Sequence, residues 1–166
     1  VQDQITLKPD RLFLSIGTKL ENSYFTGFDL EPSARIAWTS SFGTVWAAVS
    51  SASRTPTRRD TGLDAALAAF PGPVEVVLLG SPNVKSEEVV AYELGYRAQA
   101  GDHFSIDATT FLNEYRDLQT IEPLPDIVQG NPPLLIHRST FGNRMHGITD
   151  GIELAANWKV TDRWTL

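Results

Sequence analysis

The chain contains no cysteine. Disulfide scaffolds, cysteine-ligated zinc and thiol catalysis are excluded together. It has no run of eighteen apolar residues, so it encodes no membrane-crossing helix. Basic residues are in the minority, with 14 Lys and Arg against 20 Asp and Glu and a net charge of −6. No basic patch is available to displace counterions, and no nucleic-acid partner is expected. Catalytic signatures are missing as well. There is no GxSxG, no P-loop and no GxGxxG. His103, His137 and His146 are far apart, and no pair has the spacing of a helical zinc motif. Glu87 and Glu88 are adjacent and point to opposite faces of a strand, so they cannot form a paired-carboxylate site. Neither an enzyme nor a cofactor nor a metal is expected. What remains is 166 residues, 42% apolar and 20% charged, which suits one folded domain. The mean hydropathy of −0.16 leaves a membrane β-barrel open, because outward apolar and inward polar residues average to near zero.

The positive signal is a period of two. Leu12, Leu14, Ile16, Thr18 and Leu20 alternate with polar or small residues, as do Phe28, Leu30, Ala34, Ile36 and Trp38. The same holds for Tyr92–Leu94–Tyr96, for Phe104 to Leu112, and for Ile152–Leu154–Ala156–Trp158. Each segment reads as a strand with one apolar face. Residues 44–52 are also strand-like, but either Val45–Ala47–Val49 or Trp46–Ala48 could face outward.

The connections sort by length. Lys8-Pro9-Asp10, residues 40–43, 100–102 and 161–163 are short. Those near 22–27, 54–84 and 116–146 are longer, the last two about 31 residues each. Short and long alternate, which puts all the short turns at one end of an up-and-down antiparallel sheet. All four Trp residues lie close to a short turn, as interfacial aromatics do. From Phe28 to Trp38 the apolar face spans roughly 25 Å at ~3.3 Å per residue and a ~40° tilt.

Several segments together resemble a known family. Arg54-Thr55-Pro56 follows a strand ending Trp-Ala-Ala-Val-Ser. Lys85-Ser86-Glu87-Glu88 opens the next one, which runs into Ala91-Tyr92-Glu93-Leu94-Gly95-Tyr96-Arg97. Asp150-Gly151-Ile152-Glu153-Leu154 comes later. In this order they resemble the barrel of a TonB-dependent outer-membrane receptor. The resemblance implies an all-β fold: an antiparallel up-and-down meander from a large transmembrane β-barrel, with about six full strands and two partial ones. It implies the outer membrane of a Gram-negative-type bacterium as the location. It also implies import of a small-molecule ligand such as a ferric siderophore. The expected partners are outer-membrane lipid, the plug domain of the parent chain, and, through that plug, the TonB complex. No plug is recognised within these residues, so 1–166 is expected to be a partial barrel domain with two open sheet edges. The alternatives are a diffusion porin segment and a soluble β-sandwich module binding, for instance, carbohydrate.

Site candidates follow from that reading. Arg54, Arg58 and Arg59 cluster where a strand enters a long loop, and guanidinium groups suit anionic ligands. Asp60 and Asp64 are their candidate neutralisers. Arg35, Glu93, Arg97, Asp107 and Glu153 are expected on the lumen wall, with Arg97 diagonally close to Asp107. Leu63–Phe70 is expected as a short helix capped by Asp60 or Thr61 and ended by Pro71. The apolar runs Val74–Leu79 and Leu134–Ile136 are expected to pair as strands above the membrane, or else to form an apolar lid.

Overall fold

The computed structural model describes residues 1–69, 72–161 and 163–166. The chain opens with β1 (Gln2–Lys8), β2 (Leu12–Ser23), β3 (Gly27–Ser40) and β4 (Gly43–Arg54). A short helix α1 (Arg58–Gly62) leads to β5 (Asp64–Ala69) and β6 (Val74–Leu79). Then come β7 (Glu87–Ala100), β8 (Phe104–Pro123), β9 (Ile127–Gln129), β10 (Leu134–Thr161) and β11 (Trp164–Thr165). Among the described residues they make one sheet in the order β1-β2-β3-β4-β7-β8-β10-β6-β5, with β9 and β11 also on β10. The wall is an antiparallel meander of six full strands, β2, β3, β4, β7, β8 and β10. The partial strands β1 and β11 add to its two sides.

Directly opposed residues share a face, so the register sorts every side chain. One row reads Trp38, Val45, Tyr96, Ala108, Leu154, and the next in phase reads Ile36, Ala47, Leu94, Thr110, Ile152. This is the apolar face. Val45–Ala47–Val49 therefore lie on it, and Trp46 and Ala48 lie on the polar face. Trp46 does not join the other Trp residues at the interface. Its ring packs against Gly95, where an added Cβ would meet ring atoms at 2.2–2.4 Å. The Arg35 guanidinium sits 4.0 Å from its centroid.

Three connections differ from the sequence expectation. The segment near 22–27 is only a three-residue turn, because β2 and β3 pair up to Ser23↔Gly27 and Gly27 takes the positive φ the turn needs. Strict alternation of short and long thus fails at this hairpin. Residues 116–146 are mostly strand, since β8 and β10 stay paired up to Pro123↔Ser139. Register shifts near Asp117 and Asn143 break the period, and so hid the strand from a pattern reading. The helix is Arg58–Gly62 and not Leu63–Phe70. Thr57 caps it in place of Asp60 or Thr61, and residues 64–69 are a strand. Phe70 and Pro71 lie outside the described residues.

The wall has little core of its own. Leu20, Leu30 and Ile152 on the apolar face are 64%, 62% and 81% exposed. A soluble sandwich would cover that face with a second sheet, and none of the described strands does so. The buried apolar cluster lies elsewhere. Leu78, Val84 and Phe141, with Leu63 against them, pack where the 54–86 connection crosses the long β8–β10 extension.

Candidate functional site

The extension is built by strand pairing. β6 runs parallel to β10 from Val74↔Leu135 to Leu79↔Thr140, and β5 pairs antiparallel with β6. The two apolar runs thus pair with each other as strands. β9 adds a short hairpin on Leu134, Leu135 and Ile136 of β10. Lateral ties hold the crossing segment. Asn143 accepts from the Lys85 N–H at 2.8 Å and donates to the carbonyls of Lys85 and Asp117 at 3.2 and 2.6 Å. The Leu63 carbonyl accepts from Gly80 N–H at 2.7 Å.

The three arginines meet different fates. Arg54 is engaged, its Nε 2.6 Å from Glu87 Oε2, while Glu87 Oε1 accepts from Gln119 N–H at 2.7 Å. Arg59 is exposed and lies over the Phe141 ring, 6.0 Å from its centroid. Arg58 is exposed on α1. Beside Arg54, a cavity of about 310 Å³ is lined by Arg54, Glu87, Glu88, Val89, Tyr115 and Leu118. Its one arginine is paired and outnumbered by Glu87 and Glu88, so the lining offers an anion no net positive charge.

Asp60 is the hub of this turn, though not as the cap of a helix over 63–70. It stands at the third position of α1, and its Oδ2 accepts from Thr57 N–H and Thr57 Oγ, each at 2.8 Å. Thr57 Oγ accepts in turn from Asp60 N–H at 3.4 Å, which completes a capping box. The legible signal was Thr57-Arg58-Arg59-Asp60. Burial acts to raise the Asp60 pKa. Hydrogen bonds from Thr57 and the Gln119 side chain, with Arg54 nearby, outweigh it and hold the carboxyl below its ordinary range. A depressed folded-state pKa means stabilisation that is present above the unfolded value and is lost as pH falls through the folded one. Asp60→Asn should therefore lower normalised amide-exchange protection of residues 57–63 at neutral pH. The gap to the parent should shrink below about pH 4. A gap that does not depend on pH would show that charge is not what holds the turn.

The wall candidates all fall on the polar face. Arg35, Ala48, Glu93, Phe111 and Gly151 form one row, and Arg97, Asp107 and Ala155 another. Arg97 is directly opposite Asp107 and not diagonal to it. Its Nε donates to Asp107 Oδ2 at 2.7 Å, and Nη2 donates to the same oxygen. Glu93 shares a concavity of about 520 Å³ with Arg35, Ser15 and Ser33. Glu153 lies opposite Thr109. Lys19 bridges Glu21 at 2.5 Å and Glu31 at 3.3 Å. No group of metal-ligating side chains occurs among the described residues.

Comparison with known proteins decides the family. The model for TonB dependent receptor-like, beta-barrel domains matches residues 1–166. The chain belongs to that family. TonB-dependent receptors are receptors and transporters of the Gram-negative outer membrane, not enzymes. Among solved structures, the siderophore receptor PirA of Pseudomonas aeruginosa is 22% identical. Its TM-score is 0.76 over 99% of this chain and 31% of PirA. PirA of Acinetobacter baumannii is 18% identical with a TM-score of 0.78, over 97% of this chain and 25% of that one. A mutant ferric enterobactin receptor (PfeA) of P. aeruginosa in complex with enterobactin is 20% identical. Its TM-score is 0.78, over 97% of this chain and 24% of the receptor. At these identities the likeness is one of fold. The TonB-dependent receptor segment described here spans about a third or less of each solved receptor's length. The search of curated proteins returned no match.

Proposed function

We propose that the chain is part of an energy-coupled outer-membrane receptor that binds and imports a scarce nutrient such as a ferric siderophore. The observation that carries this reading is the family match along the whole chain. The similar solved proteins are siderophore receptors, one of them bound to enterobactin. Residues 1–166 supply a stretch of barrel wall and its outer extension. The plug lies elsewhere in the whole protein, and the TonB complex acts on it. Function is then binding and gating, without covalent chemistry. Lipid covers the apolar face, and the polar wall of Arg35, Glu93, Arg97, Asp107 and Glu153 borders the plug.

In this reading Arg58 and Arg59 meet the ligand, because bidentate guanidinium donors suit an anionic chelate. Arg54, already paired with Glu87, positions the base of the site. The test uses the full-length receptor in a host that makes no siderophore and is grown on a panel of ferric siderophores. Uptake of at least one is expected. The Arg58→Ala/Arg59→Ala receptor should bind that one about tenfold more weakly, ~1.4 kcal/mol, with unchanged heat-modifiability. Failure to take up any ferric chelate while the protein sits in the outer membrane would overturn the iron reading. Recovery as a soluble periplasmic monomer would overturn the receptor reading.

A further inference from the structure

The ladder between β3 and β4 stops short of both strands. It runs from Ser40↔Gly43 to Ser33↔Ser50 and no further. β3 stays paired with β2 as far as Gly27, and β4 with β7 as far as Arg54. Each strand is held on its far side while the two facing backbone edges are open. Pro32 accounts for the break. The Thr18 N–H bonds to the Val1 carbonyl at 2.9 Å, on the β1 side. Thr18↔Pro32 is therefore a non-hydrogen-bonded pair, and the Pro32 nitrogen faces β4 with no hydrogen to donate.

Beyond Pro32, side chains take the place of the ladder. Continued register would set Leu30 against Ser53. Glu31 Oε1 instead accepts from Ser53 N–H and Ser53 Oγ, each at 3.0 Å. Asp29 accepts from Ser86 Oγ at 3.3 and 3.4 Å. Among the described residues, the main-chain groups of Phe28 and Leu30 that face β4 have no strand partner there.

Height makes this unusual. Leu30 lies eight residues along β3 from Trp38. At ~3.3 Å per residue and a ~40° tilt it stands roughly 20 Å above the Trp level, inside an apolar band ~25 Å tall. Leu20 is directly opposite it on β2, and both side chains are exposed on the apolar face. Hydrocarbon cannot satisfy open backbone groups, and irregular backbone persists at that depth only where it lines water. The β2–β3 turn, residues 24–26, offers no long loop to cover the gap.

We infer that the outer half of the β3–β4 boundary is a water-lined side opening in the barrel wall, with Glu31 and Asp29 as its clasps. The opening joins the lumen to the outer leaflet. Across the boundary its clasps bond only to hydroxyl and amide donors that water can replace, while Lys19 holds Glu31 from the β2 side, so it can widen without loss of the lower ladder. The inference rests on the membrane-spanning reading above, and the test separates the two.

This stretch has no cysteine, so single substitutions report one position each against the unsubstituted receptor as background. Leu30→Cys lies beside the opening, Leu20→Cys at the same height one strand away, and Ile36→Cys deep in the band. A water-soluble, membrane-impermeant maleimide is applied to the full-length receptor in intact outer membranes. Leu30→Cys should label about tenfold faster than Leu20→Cys, with Ile36→Cys protected. Adding Glu31→Gln should raise the Leu30→Cys rate further, and an unchanged rate would remove Glu31 as a clasp. Ser51→Cys, on the β4 side, is the second reporter should Leu30→Cys fail to assemble. Equal rates at Leu30→Cys and Leu20→Cys, fast or slow, would overturn the opening. Fast labelling of Ile36→Cys would overturn the membrane-spanning reading instead.

Discussion

A receptor in which residues 60–80 are replaced by a short Gly-Ser linker should still insert and resist heat, yet bind its ligand at least about tenfold more weakly, ~1.4 kcal/mol. Insertion is retained because β4 and β7 pair directly from Thr44↔Arg97 to Arg54↔Glu87. None of those residues is replaced. Binding is lost because the exchange deletes Asp60, the carboxylate of the capping box that orders α1 and presents Arg58 and Arg59. It also deletes Leu63 and Leu78 from the buried cluster and leaves Phe141 uncovered under Arg59. Loops carry recognition while the strand scaffold holds them in place. Heat-modifiability on a gel and equilibrium binding read the two halves separately. Normal insertion with unchanged affinity would remove this connection from the recognition surface. Failure to insert would show that β6 on the β10 edge is needed for the barrel itself.

Gly80→Val should free the same connection without deleting it. A Cβ at Gly80 would meet the backbone nitrogens of Gly62 and Leu63 at 2.5 Å and the Thr61 carbonyl carbon at 2.7 Å. These are main-chain atoms at the end of α1, and they cannot rotate away. The Gly80 N–H to Leu63 carbonyl bond and the Thr140 Oγ to Gly80 carbonyl contact at 3.4 Å depend on the same approach. Overpacking of this kind costs about 1–3 kcal/mol, much of what a small docked segment has. The readout is trypsin cleavage after Arg58 and Arg59 in the folded receptor, expected to be at least about tenfold faster than in the parent. Gly62→Ala is the control, because its added Cβ meets nothing within 4 Å. Equal cleavage rates for the parent and Gly80→Val would show that the turn is not held by this contact.

The site was only partly legible. Arg54, Arg58 and Arg59 stood out as charge at a strand–loop junction, but nothing in a linear reading pairs Arg54 with Glu87, which lies 33 positions away. The capping box Thr57-x-x-Asp60 was present as a local signal, and the expectation of a helix at Leu63–Phe70 obscured it. The Ala-rich run from Asp64 favours a helix by propensity. Pairing with β6 overrides that preference, because tertiary context decides strand formation more than intrinsic tendency does. Nearness to a turn groups Trp46 with the other Trp residues. The β4 segment is small and apolar on both faces, so its pattern alone could not orient the ring.

Alternation by itself determined the strands β2, β3, β7 and the lower parts of β8 and β10, together with their apolar face. A period of two leaves no other regular backbone, and the short turns dictate antiparallel neighbours. Family membership was also readable, because it rests on ordered segments and needs no distances. Pairing of the two apolar runs was expected from the sequence, but tertiary structure decided how the rest of the upper half is joined. Register shifts near Asp117 and Asn143 break the period without ending the strands. The parallel β6–β10 pair joins residues about sixty positions apart, and the gap above Pro32 depends on which side of β3 its nitrogen faces. Those outcomes are set by hydrogen-bond direction and register between distant segments, and a residue's type does not state either one.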